Sequence, residues 1–120
     1  MANIELKRGQ KAQVDITFKE AGQTNAKDFS SGFTASLVLR KKSSGGSVEG
    51  DVIDKLTSSE NRITFTHANA GPNIQLKWST IQARDLPNEN LTIFGDLKIV
   101  ESNEVVHSFR LTFDIIPEII

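Results

Sequence analysis

The chain has 120 residues, no cysteine, and a formal net charge of -1 from 14 basic and 15 acidic side chains. We expect one domain spanning residues 1–120, because a chain of this length buries a core without disulfide support. The missing cysteines exclude a disulfide framework and a thiolate metal site, and the balanced charge argues against electrostatically driven nucleic-acid binding.

Alternating apolar and polar residues predict short β-strands through the first part of the chain. The pattern places strands at residues 4–7, 12–19 and 33–40, with a polar loop over residues 21–28. Glycine, serine and charged residues dominate residues 41–50. This composition is typical of a mobile connection.

The second part of the chain continues the pattern with one interruption. A short edge strand is expected around Val52–Leu56, followed by a turn at residues 58–61 and strands at residues 62–67 and 74–78. Ser79 and Gln82 have the spacing of a capping box, which predicts a helical turn near residues 79–86, before Pro87.

The chain continues with two long predicted strands, at residues 91–100 and 105–116, joined by a turn near Ser102 and Asn103. The second of them should be half-buried, because six residues at every second position share one face: Val105, His107, Phe109, Leu111, Phe113 and Ile115. Together the elements predict an all-β, two-sheet sandwich of about 7–8 antiparallel strands with one short helical turn.

Residues with catalytic or metal-binding potential are few. His67 and His107 are the two histidines, and both alternate with polar neighbours on apolar faces, so core or rim positions are expected, with metal binding as the minor alternative. Asp51 and Asp54 follow Glu49 but lack the order of a calcium loop, which favours a solvated loop. We therefore predict no enzyme, no catalytic or metal residues and no cofactor.

Trp78 allows two interpretations. An exposed indole could be a platform for sugar stacking, as in carbohydrate-binding modules. Trp78 is in phase with Ile74 and Leu76, however, which favours a core position. The chain has no tyrosine, and sugar sites usually combine several exposed rings.

Several apolar residues fall on predicted polar faces or at the end of the chain. They are Val38, Phe94, Val106, Ile116, Ile119 and Ile120. These residues are either covered within the domain or unremarkable single exposures. Alternatively, they form a protein-contact surface. The sequence leaves both interpretations open.

The order of motifs resembles a known family. Arg8-Gly9 ends the first strand, the stretch KAQVDITFKE follows, Asp28-Phe29-Ser30-Ser31-Gly32-Phe33 leads into a strand ending in Leu39-Arg40, and Asp96-Leu97 lies in a later strand. This layout is similar to the small immunoglobulin-like β-sandwich domains of tailed bacteriophages, including the N-terminal domain of baseplate upper proteins and short stand-alone tail or neck proteins. Gly95 stands where that family commonly has an aromatic residue.

The resemblance implies a non-enzymatic structural component of a phage or prophage virion, an adaptor in the tail, baseplate or neck. Its partners would be other virion proteins in a homo-oligomer or ring, without nucleic acid, membrane or small-molecule substrate. The residues 1–5 lack the features of a secretion signal, so synthesis in the host cytoplasm and location in the virion are expected. The alternative function is a carbohydrate-binding or host-adhesion module of a receptor-binding apparatus.

Overall fold

The computed structural model describes residues 4–29, 31–41, 52–66 and 70–118. Within these ranges the chain forms eight β-strands and one short α-helix. The elements are β1 (Ile4–Lys7), β2 (Ala12–Ile16), β3 (Phe33–Lys41), β4 (Val52–Thr57), β5 (Ile63–Phe65), β6 (Ile74–Trp78), α1 (Thr80–Arg84), β7 (Leu91–Glu101) and β8 (Glu104–Ile116). Lys41 belongs to β3, and the rest of the predicted mobile loop lies outside the described residues.

The strands form two sheets, which confirms the predicted all-β sandwich. The large sheet has the order β1-β8-β7-β3-β4, and the small sheet has the order β2-β6-β5. If β2 and β3 are taken as strands B and C, then β5 to β8 are D to G and β4 is the inserted strand C′. The sheets then read B-E-D and G-F-C-C′, which is the strand distribution of an immunoglobulin-like sandwich.

One strand pairing departs from the antiparallel expectation. β1 runs parallel to β8, with Ile4 opposite Phe113 and Leu6 opposite Ile115. The connection after β1 turns at Gly9 and leads into β2 of the other sheet, so β1 lies at the free edge beside β8. Leu6 is 1% exposed there, because its side chain completes the inner face of the large sheet.

The core lies between the inner faces of the two sheets. The largest fully buried side chains are Trp78, Phe113, Leu6, Leu37, Leu39, Leu56, Ile63, Ile74, Leu76, Ile93, Leu97 and Ile99. Trp78 of the small sheet meets Phe113 of the large sheet edge-on, with ring centroids 5.8 Å apart. Trp78 is 1% exposed, so the core interpretation of this residue is confirmed.

The second strand, β2, is shorter than predicted because the backbone beyond its end forms hydrogen bonds with the side chain of Asn73 and not with a neighbouring strand. β2 ends at Ile16, and the next backbone groups bind Asn73, whose side chain is fully buried. The Phe18 N–H donates to Asn73 Oδ1 at 2.8 Å, and Asn73 Nδ2 donates to the carbonyls of Phe18 and Lys27 at 2.9 and 2.8 Å. Asn73 thereby fastens the polar loop after β2 to the sandwich.

The capping-box prediction is confirmed. The backbone N–H of Gln82 donates to Ser79 Oγ at 3.1 Å, and the N–H of Ser79 donates to Gln82 Oε1 at 2.8 Å. The capping box stabilises the start of the helix, and Pro87, which cannot continue a helix, follows shortly after its end at Arg84. Ala83 and Leu86 are buried, so α1 joins β6 to β7 along the rim of the core.

Candidate protein-contact surface

The predicted contact residues that the structure describes lie on or near the outer face of the large sheet. Phe94 is on β7, and Val106 and Ile116 are on β8. Ile119 and Ile120 lie outside the described residues. The outer face of the small sheet, in contrast, is lined by polar residues of β2 and β6 such as Gln13 and Lys77. Apolar side chains on an outer face are therefore a property of the large sheet.

The structure does not bring the predicted residues together into one patch. Val106 and Ile116 are ten residues apart on β8, which corresponds to about 33 Å along a strand. Phe94 lies between them, opposite Thr112, and is 9% exposed. Phe94 therefore lies in a central region, Val106 lies in a distant region near the β7–β8 turn, and Ile116 lies at the opposite end of β8.

The central region is a recess in the outer face of the large sheet, with a volume of about 510 Å³. It is lined by residues of β3, β7 and β8: Ser36, Val38, Arg40, Phe94, Gly95, Asp96, Lys98 and Arg110. We call this cavity the recess. Its volume is within the range of cavities that receive small molecules.

Gly95 shapes the recess by letting two strands approach closely. A Cβ atom at this position would lie 2.2 Å from the carbonyl oxygen of Val38 on β3, far inside van der Waals contact. Glycine in the interior of a strand typically marks such an approach or a bend. The neighbouring pairs Leu37–Leu97 and Arg40–Phe94 flank the position. The recess thus lies beside a close approach of the β7 and β3 backbones.

The floor and wall of the recess combine an aromatic ring with charges. The Arg110 guanidinium lies over the Phe94 ring at 5.0 Å and donates to Asp96 at 3.0 and 3.4 Å. Arg40 and Lys98 add two further cations, so three cations and one carboxylate leave a formal charge of +2 in the recess. The arrangement suits an anionic group that carries an apolar portion.

The distant region is the turn between β7 and β8. Ser102 and Asn103 both have positive φ, the conformation of a two-residue hairpin turn, and Glu101 is opposite Glu104. This confirms the predicted turn. All six residues 101–106 are exposed, including Val105 at 55% and Val106 at 40%. We call residues 101–106 the hairpin tip.

A β-bulge explains why Val105 is exposed, although the alternation placed it on the inner face. Ile99 is opposite His107, but Val100 is opposite Val105, so Val106 is an extra residue in β8. The inward alternation holds only from His107 onward. Alternation in sequence cannot reveal a bulge, because one inserted residue reverses the direction of every later side chain.

His107 lies in a cluster of aromatic rings. Its ring centroid is 4.6 Å from that of Phe18 and 6.3 Å from that of Phe29. His67 lies outside the described residues. Among the residues that the structure describes, no group of three histidine, aspartate or glutamate side chains converges on a metal position. His107 is therefore placed as the sequence predicted, at the rim of the core.

Asp54 is a structural residue, and the solvated loop expected for it is wrong. Its carboxylate accepts two hydrogen bonds from Arg62, at 2.8 and 2.9 Å, and one from the indole N–H of Trp78 at 2.8 Å. Asp51 lies outside the described residues. With its oxygens occupied by Arg62 and Trp78, Asp54 has a packing role.

Sequence reasoning identified Phe94 and Val38 but missed the charged groups around them. Arg40, Lys98 and Arg110 occupy ordinary polar positions of alternating strands, and only the register of β3, β7 and β8 places them around one cavity. The one available signal was Gly95, a glycine inside a predicted strand.

Comparison with known proteins identifies no relative: no family model matches the chain, and no curated protein matches it. In the described part of the chain, no helix has the length and apolar character needed to cross a membrane.

Proposed function

We propose that this protein is a non-enzymatic structural component that works through protein–protein contact, as an adaptor in the tail, baseplate or neck of a phage or prophage particle. The recess on the large sheet is the observation that carries the contact function. It combines the ring of Phe94, the side chain of Val38 and a net positive charge on one outer face. The assignment to a virion depends on the motif resemblance and the immunoglobulin-like strand order.

The hairpin tip supports the same proposal. Val105 and Val106 expose apolar side chains there, and contact with a partner would remove this apolar surface from water. The carbohydrate-binding alternative depended on an exposed Trp78. That residue is buried and bonded to Asp54, so the alternative loses its strongest candidate platform.

Particle association tests the proposal. The tagged chain would be expressed in cells that produce the particles, and the lysate would be separated by density-gradient centrifugation. We expect the protein in the particle fraction at a constant ratio to the other particle proteins. Disruption of its gene should yield incomplete particles.

A matched pair of variants connects that result to the large sheet. Phe94→Ala removes the floor of the recess and should deplete the protein from the particle fraction, whereas Ile81→Ala removes a side chain that is 71% exposed on α1 and should not. Unfolding midpoints of both variants would be measured first. Complete particles that lack the wild-type protein would contradict the proposal.

A further inference from the structure

We propose that copies of this chain associate head to tail, with the hairpin tip of one copy occupying the recess of the next. The inference rests on the proposed contact function and identifies one partner, a second copy of the chain. It requires that the tip and the recess complement each other in charge, in apolar area and in position.

The charges of the two regions are opposite and equal in number. The recess has a formal charge of +2 from Arg40, Lys98 and Arg110 against Asp96. The hairpin tip has a formal charge of -2, because Glu101 and Glu104 are its charged residues. Opposite patches of this kind steer association and fix the orientation of the partners.

The tip carries a repulsion that a neighbour would relieve. Glu101 and Glu104 are directly opposite each other in the β7–β8 ladder, and like charges in that arrangement destabilise an antiparallel pair. Lys27 lies near enough to interact with Glu101, but its ammonium pairs with Glu20 at 2.7 Å. The net positive charge of the recess of a second copy would offset the charge of both carboxylates.

The apolar parts also correspond. Val105 and Val106 are exposed next to the two glutamates, and the recess offers the half-buried Val38 next to its cations, whereas the Phe94 ring is 9% exposed and lies under the Arg110 guanidinium. Docking would remove both valines from water, a favourable step because apolar surface is buried. A purely acidic loop would lack this second match.

The positions of the two regions determine the type of assembly. The tip is the end of the β7–β8 hairpin, and the recess is a separate surface lined by β3, β7 and β8, so a docked pair retains one free tip and one free recess. Such a heterologous contact repeats, and it produces a closed ring or an open stack according to the rotation between copies.

Two charge-reversed chains test the inference. The tip variant carries Glu101→Lys and Glu104→Lys, which changes the tip from -2 to +2. The recess variant carries Lys98→Glu and Arg40→Glu, which changes the recess from +2 to -2. In sedimentation equilibrium over rising concentration, the wild type should exceed the monomer mass of 13.2 kDa, and each variant alone should remain at that mass.

Mixing gives the decisive measurement. In an equimolar mixture, the reversed tip (+2) of one variant faces the reversed recess (-2) of the other, and the unchanged tip (-2) faces the unchanged recess (+2). Every contact between unlike variants is therefore attractive, and the association constant should return to within about threefold of the wild-type value. Lys11→Glu with Lys19→Glu is the control: it makes the same charge change at exposed lysines outside the recess and should associate like the wild type. If the recess variant fails to fold, Lys98→Glu alone should still weaken association at least about tenfold.

A strictly monomeric wild type, association that both variants retain, or a mixture that stays monomeric would each overturn the inference. These outcomes leave the proposed function untouched, because particle association with a different partner remains measurable. Conversely, a chain that self-associates but never enters particles contradicts the proposed function and supports this inference.

Discussion

At the scale of single residues, Asp54 connects the two layers of the sandwich. Asp54 belongs to β4 of the large sheet, and its partner Trp78 belongs to β6 of the small sheet. Arg62 precedes β5 and also donates to the carbonyls of Lys55 and Lys77, so it bonds to both sheets. No buried side-chain nitrogen or oxygen in the described residues lacks a partner. The network is therefore fully satisfied.

Removing the carboxylate should be costly. Asp54→Ala leaves the guanidinium of Arg62, a residue 9% exposed, and the Trp78 indole without their acceptor, and we expect a loss of about 3 kcal/mol in the free energy of unfolding. Urea denaturation measures the loss. Asp15→Ala removes an exposed carboxylate on β2 and should change stability by less than about 0.5 kcal/mol. Equal losses in the two variants would refute the role of Asp54.

The pair Glu20–Lys27 predicts a pH dependence. The Lys27 ammonium, 2.7 Å away, holds the pKa of Glu20 below its usual value of 4.5 by hydrogen bonding and charge attraction. Because the pKa of Glu20 is lower in the folded state, the stability that this carboxylate contributes is fully present above pH 4.5. It is lost as the pH falls through the folded-state pKa. The same pair raises the pKa of Lys27, so its contribution is lost only in strong alkali.

The test is a double-mutant cycle across pH. The difference in unfolding midpoint between the wild type and Glu20→Gln should shrink as the pH is lowered from about 7 to about 3. In the background of Lys27→Gln, the same substitution should show no such trend, because the partner is absent. Both side chains are substantially exposed, so the effect will be small. An identical trend in both backgrounds would contradict the assignment.

At the scale of elements, β7 depends on one glycine. Gly95→Ala puts a Cβ atom 2.2 Å from the Val38 carbonyl oxygen, which belongs to backbone and cannot rotate away. We expect a loss of roughly 3 kcal/mol in unfolding free energy, together with a distorted recess. Gly32→Ala is the matched control, because its Cβ would meet nothing and only its positive φ is unfavourable, at roughly 1 kcal/mol. Similar losses at both sites would contradict the close-approach account.

The strands and the helix were largely predictable from the sequence because their causes are local. Alternation around Leu37 reflects a face buried in the core, and the Ser79–Gln82 capping box depends on two side chains three residues apart. The end of β2 was not predictable in the same way. It depends on Asn73, which is distant in sequence and reaches the Phe18 backbone only in the folded chain.

At the scale of the whole molecule, the two outer faces differ in character. The small sheet presents polar side chains, whereas the large sheet carries the recess and extends into the hairpin tip. The sequence indicated that apolar residues such as Phe94 and Val106 were unusual, but not that they belong to two separate regions. Their separation depends on strand register and on the bulge at Val106, which alternation does not encode.

The parallel pairing of β1 with β8 bears on how the protein is made. β8 leaves the ribosome after the seven other described strands, yet it fills the position between β7 and β1. Until then β7 has an open edge, and β1 has no neighbour in its sheet. Contacts between the two ends of a chain slow folding, and unpaired edges recruit other chains. The nascent polypeptide is therefore most vulnerable to aggregation just before β8 emerges, and chaperone protection would matter most at that moment.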